Sequence, residues 1–173
     1  MRALVWIVED TWEATVAEAA AFLPADAEVT LLHVAPGDVE TVAEGSRHGL
    51  LGRRHRPPPD VRPAPLQAIS DEAAQALLAE ARERFGHHAG VERRRGRVER
   101  EVVAAAEGMD ILVLARDGDH SRLGPHSLGP PARFVVDHAP CRVLLVWADA
   151  PPDVDTIPPP PAHPPKHRPP HHR

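Results

Sequence analysis

The segment Leu114–Trp147 reads "LARDGDHSRLGPHSLGPPARFVVDHAPCRVLLVW". It strings together an apolar run, a loop of Gly, Asp, Ser and Arg, two prolines, a helix-like run and a second apolar run. A glycine-rich loop leading from a strand into a helix suits phosphate, because the first helical N–H groups have no partner in the chain and point outward. Here Pro130 and Pro131 open the helical run, and proline carries no N–H. The phosphate-binding outline is present with two donors missing. Arg116, Arg122 and His120 offer positive charge in compensation, Arg through a bidentate fork, and Ser121 and Ser127 offer hydroxyls.

Other reactive residue types group less pointedly. His163, His167, His171 and His172 stand in a Pro/His-rich tail and are candidate Zn, Ni or Cu ligands, since neutral imidazole binds these ions. A Pro-rich segment offers no fixed tetrahedral set, so a solvated tail is the competing reading. Cys141, the only cysteine, begins the last apolar run, where a small packing residue is expected. His33 and His138 fall at the ends of elements, and hydrogen-bonded structural roles are expected for them. "ERRRGRVER", Glu92–Arg100, resembles a basic patch, but its glutamates cut the local charge and no aromatics interleave. No nucleophile elbow is present, and "LGPHSLGPP" lacks the lysine of a phosphate-binding P-loop. Catalysis therefore has little support.

These residues must be held by alternating strands and helices. "ALVWIV" (Ala3–Val8), "EVTLLHVA" (Glu28–Ala35), "DILVLA" (Asp110–Ala115) and "CRVLLVWA" (Cys141–Ala148) are short apolar runs suited to strands buried on both faces. "VERRR", Val91–Arg95, is a poor strand and is expected at an edge with its charges solvated. Asp10 and Glu13 form a capping pattern before a helix whose inward face is Trp12, Val16, Ala19, Ala20 and Leu23. Ser70 is expected to cap "DEAAQALLAEARERFG", with acid in the first turn and Gly86 at the end. "RVEREVVAAAEG" is expected to turn Val98, Val102, Val103 and Ala106 inward. "PPARFVVDHA" opens with prolines, which the first helical positions tolerate. This order predicts a parallel sheet with right-handed crossovers and a ligand site beyond the carboxyl ends of the strands.

Composition bounds the rest. The chain has 173 residues, enough for one domain with a core, and its 3% aromatic content leaves packing to Ala, Val and Leu. A formal charge of −5 excludes general attraction to nucleic acid or anionic membranes. The N-terminus lacks a secretory pattern, no apolar run reaches membrane-spanning length, and a single cysteine fits a reducing compartment; a cytoplasmic protein is expected. The domain is expected to span 1–149, with a flexible loop about 36–68 holding a short helix near Val39–Glu44, and a disordered Pro/His-rich tail over 150–173.

Across nearly all of residues 1–149 the chain resembles the universal stress protein family. The resemblance rests on "ILVLA", Gly129, "DHAPCRVLLVW", "VTLLHV", "IVEDTWEA" and "RRGR" with Gly96. It implies a five-stranded parallel sheet of order 3-2-1-4-5 with helices on both faces, the Rossmann-like fold of the adenine nucleotide alpha hydrolases. It also implies a homodimer through the last strand, Val143, Leu144, Leu145, Val146 and Trp147. The family's nucleotide residues fall on Glu9, Val34, Arg116, Asp119 and Gly129, and the candidate nucleotide-binding set adds Gly118, Arg122 and Ser127 from the loop itself. Both loop glycines are lost, to Arg116 and Asp119; Gly118 is one position out of register, and Pro130 and Pro131 replace the Ser/Thr and its neighbour. Two charge-assisted bonds lost at ~1.5–3 kcal/mol each weaken binding about 10²- to 10⁴-fold. The expectation is a non-enzymatic, dimeric stress-response protein with a weak site for ATP or another adenine nucleotide. The alternatives are an ATP-dependent switch with slow hydrolysis at most, and metal buffering through the tail histidines.

Overall fold

The computed structural model describes residues 1–37 and 66–159, with side chains described from Ser70 onward in the second segment. Five strands form one parallel sheet: β1 Arg2–Trp6, β2 Glu28–Pro36, β3 Gly90–Gly96, β4 Ile111–Ala115 and β5 Arg142–Val146. Their order is β3-β2-β1-β4-β5, as the resemblance implied. All four pairings are parallel, with Val5 opposite Leu31 on one side and Val113 on the other. The helices are α1 Trp12–Phe22, α2 Leu66–Phe85, α3 Val98–Ala105 and α4 Pro130–His138.

The apolar runs are continuous because both faces of the central strands are covered. Ala3, Val5, Ile7, Leu31 and Val113 face α1 and α2, meeting Val16, Ala19, Leu78 and Ala81. Leu4, Trp6, Leu32, Val34 and Leu112 face α3 and α4, meeting Val102, Ala105, Ala132 and Val135. The winding reverses between β1 and β4, which opens a crevice at the carboxyl ends of those strands.

Several local expectations are corrected. Asp10 does not cap α1. Thr11 is the N-cap residue, its N–H donates to the Val8 carbonyl at 3.0 Å, and no side-chain cap bond forms. Ala20 is exposed, and Thr15 takes an inward place, its hydroxyl satisfied by the Thr11 carbonyl at 2.8 Å. Ser70 lies inside α2, which runs back to Leu66 and has no acid in its first turn. "LQAI" contains no helix breaker, so elongation continues upstream until Pro65. Gly86 does end that helix, in the left-handed region at φ 131°, its N–H bonded to the Arg82 carbonyl at 2.9 Å.

β3 is an edge strand, and its exposed arginines are paired as well as solvated. Arg95 reaches Asp71 of α2 at 2.7 Å, Arg93 reaches the same carboxylate at 3.5 Å, and Arg94 reaches Glu92 at 2.6 Å. The basic run is thus locally neutralised. Gly96 closes the strand at φ 156°, its carbonyl accepting from Gly37 N–H at 2.9 Å.

The tail boundary moves as well. Val154–Thr156 form a 3₁₀ turn, and Thr156 Oγ1 accepts from Leu123 N–H at 3.0 Å. The segment after β5 therefore folds back onto the loop after β4, because the Asp153 side chain caps the turn by accepting from Asp155 N–H at 3.1 Å. Residues 160–173, with His163, His167, His171 and His172, lie outside the described residues, as does the short helix expected near Val39–Glu44.

Cys141 is half-buried, as its packing role requires. Burial pushes its thiol above the ordinary value, and the Asp110 carboxylate adds to this. The thiolate is the reactive form, so alkylation by iodoacetamide at pH 8 should run several-fold slower on the folded chain than on the urea-unfolded chain. Equal rates would show that the site is open.

Candidate functional site

A cleft of about 230 Å³ lies over the carboxyl ends of β1 and β2. Trp6 and Val34 form its floor with Ile7, and Val98 of α3 forms a wall. Asp117, from the loop after β4, and Pro131 of α4 close the side where a phosphate chain would leave. Glu9 stands at the rim, exposed. His33 lines the cleft and is held by the β1 end, its Nδ1 3.1 Å from the Ile7 carbonyl.

The expected phosphate loop is folded against itself. Gly118 N–H donates to the Ser127 carbonyl at 3.1 Å and Asp119 N–H to the His126 carbonyl at 2.8 Å. These bonds zip residues 118–119 onto 126–127 and use the N–H groups a phosphate would need. Ser127 is fully buried, its hydroxyl donating to the Gly124 carbonyl at 2.7 Å. Ser121 donates to Asp119 through its hydroxyl at 2.6 Å and its N–H at 2.9 Å, which holds the Asp119 carboxyl below its ordinary range. Asp119 therefore stays charged, with Arg122 3.5 Å away.

The compensating cations are occupied elsewhere. Arg116 donates to Ser127 Oγ, and its guanidinium lies over the Trp147 ring at 4.6 Å. His120 is bonded to the Arg116 carbonyl at 2.9 Å and meets Trp147 edge-on. Trp147 thus lies beyond the end of β5 and packs on this loop, whereas the sequence places it in the strand. Of the candidate residues, Glu9 and Val34 line the cleft; Arg116, Gly118, Asp119, Arg122 and Ser127 build the loop; Gly129 is the N-cap residue of α4.

Asp117 is the residue that sequence reasoning missed. Its Oδ1 accepts from Gly129 N–H at 2.7 Å, so a carboxylate of the chain occupies the mouth of α4. Gly129 leaves room for this approach: a Cβ there would sit 3.0 Å from both Asp117 oxygens, and the carboxylate would have to shift by a few tenths of an ångström. The glycine that would admit phosphate admits an internal anion instead. The available signal was an acid immediately before Gly118, twelve residues ahead of a glycine at a helix start, but nothing local pairs the two. With Pro130 and Pro131 lacking N–H and Gly129 already bonded, Ala132 alone among the first three helical positions carries a donor. That donor set does not fit a triphosphate, while the apolar floor fits a flat heterocycle.

No family model matches the chain, and no curated protein matches it. Solved structures do. Hypothetical protein MJ0577 aligns at 21% identity with a TM-score of 0.59, over 84% of this chain and 94% of its own. A universal stress protein from Archaeoglobus fulgidus aligns at 18% identity with a TM-score of 0.55, over 84% and 97%. The fold is the universal stress protein fold. A universal stress protein solved in complex with cAMP shares it at 16% identity with a TM-score of 0.53, over 86% of this chain and 98% of its own. Among the described residues of this universal stress protein-like chain no group of His, Cys, Asp and Glu is arranged to hold a metal ion, and no helix is long and apolar enough to cross a membrane.

Proposed function

We propose that the chain is a cytoplasmic, non-enzymatic, universal stress protein-like component of a stress response, dimeric through β5, whose cleft holds adenine nucleotides weakly. The observation that carries this reading is the Asp117 carboxylate bonded to Gly129 N–H at the mouth of a helix that begins with two prolines. An anion arriving there meets a negative charge and too few donors. Titration calorimetry of the full chain with ATP and Mg²⁺ is the test: binding weaker than about 100 µM is expected from two lost charge-assisted bonds on a micromolar site. Low-micromolar binding would reject the reading.

That stronger binding is the second reading, a nucleotide-dependent switch. It is favoured by the shared fold with a protein crystallised with cAMP. The proposed metal buffering by the tail predicts that truncation after Ala150 abolishes Zn²⁺ and Ni²⁺ uptake, and unchanged uptake would reject it.

The dimer rests on β5, which forms one edge of the sheet with Val143, Leu144 and Leu145 only partly buried. An apolar sheet edge is a template for pairing with a second copy. Leu145→Asp should give a monomer by light scattering, or an unfolded chain if β5 cannot fold alone. A folded dimer of that variant would remove β5 as the interface.

A further inference from the structure

We propose that the cleft is selective for a phosphate-free nucleoside over the corresponding nucleotide, with Asp117 as the selecting residue. This inference rests on the reading above and assigns the ligand class of the same site. The base end of the cleft is apolar, with Trp6, Val34 and Val98 presenting surface that a flat ring can cover. Two carboxylates line the same cleft, Asp117 from the loop after β4 and Glu9 from the segment after β1, both exposed. Among the described residues no lysine or arginine lines the cleft. The arginines of the adjoining loop are bound to Ser127, Trp147 and Asp119.

Charge sorts the ligands. A phosphate carried toward α4 meets the Asp117 carboxylate, with Glu9 also lining the cleft and, among the described residues, no lysine or arginine lining it. A ribose carries hydroxyls, which donate, and a carboxylate only accepts. Asp117 has one oxygen committed to Gly129 N–H, and its remaining lone pairs can take a sugar hydroxyl. The feature that refuses phosphate therefore rewards its absence. The cleft's volume of about 230 Å³ is below the roughly 300–1,000 Å³ of drug-sized ligand pockets, so it suits a small body rather than a nucleoside with a triphosphate.

The experiment compares adenosine, AMP and Mg²⁺-ATP by titration calorimetry on the full chain, then repeats the series on Asp117→Asn. That variant keeps an oxygen acceptor for Gly129 N–H and removes the charge. Adenosine should bind at least about tenfold more tightly than AMP on the parent chain, the order of effect of one carboxylate–phosphate repulsion in a partly screened site. In Asp117→Asn the preference should collapse to within about twofold through a gain for AMP, with circular dichroism confirming the fold. AMP binding as tightly as adenosine on the parent chain would overturn the inference, as would a preference that survives in Asp117→Asn. If neither adenosine nor ATP binds, the ligand assignment and the weak-nucleotide reading both fail; if ATP binds weakly and adenosine does not bind, the ligand assignment alone fails. If ATP binds at low micromolar concentration, both fail.

Discussion

A chain carrying Asp117→Ala, Pro130→Ser and Pro131→Ala should bind ATP about a hundredfold more tightly than the parent, the lower end of what two charge-assisted bonds supply even if only two of the three freed N–H groups engage the phosphates. Each change acts on a separate part of one obstacle. Asp117→Ala frees Gly129 N–H, now held at 2.7 Å by the carboxylate, and removes a negative charge from the path. Pro130→Ser restores a donor at the first helical position and adds a hydroxyl, and Pro131→Ala restores the second donor. The helix then presents its first turn of N–H groups to solvent, where its dipole favours an anion. The gain is set at the low end because Asp117 is exposed and water screens the site. Stability should fall by about 0.4–1 kcal/mol per proline removed, since the unfolded chain becomes less constrained. The measurement is calorimetric titration with Mg²⁺-ATP, with the single variants as intermediate points. An affinity unchanged in the triple variant would show that the helix mouth is not what limits nucleotide binding.

Gly118→Ala is expected to destabilise the domain by about 2–3 kcal/mol, the upper part of the range for forced overpacking. The reason is backbone, not side chain. A Cβ at Gly118 would lie inside contact distance of the His126 carbonyl oxygen, 2.8 Å from the Ser127 carbonyl carbon and 3.0 Å from Leu128 N. No rotamer change relieves a clash with main chain, so the pairing of 118–119 with 126–127 must open. Opening it releases buried Ser127 and removes the partner of Arg116, whose position over Trp147 depends on that bond. The melting temperature should drop by about 5–10 °C for a domain of this size. Gly124→Ala provides the contrast. Gly124 lies at φ 141° and ψ −174° with nothing within 4 Å of the added carbon, so its cost is backbone strain alone, about 1–3 kcal/mol. If Gly118→Ala melts at the temperature of the parent chain, the close approach of the two loop segments is not maintained in solution.

Gly118 shows how one residue can have different meanings in sequence and fold. In the sequence it stands one position out of register with a glycine that would approach phosphate. The folded chain uses it for a backbone-to-backbone contact within the loop. Arg116 and Arg122 show the same divergence. As sequence they are cations beside a phosphate site; in the fold they serve Ser127, Trp147 and Asp119. Charge is a property of a residue, but its direction is a property of the loop that carries it.

The α/β alternation was fixed by local chemistry: apolar runs of five or six residues become strands buried on both faces, and helical runs between them force parallel crossovers. The loss of two donors at Pro130 and Pro131 was equally certain from sequence, because a missing N–H is covalent and no packing restores it. Helix starts were less legible, since Thr11 and Leu66 displaced the expected caps by the choices of neighbouring turns. Only the tertiary structure decided what fills the mouth of α4. Asp117 and Gly129 are brought together by the closure of an intervening loop, and contacts made by loop closure leave no periodic trace in the chain that forms them.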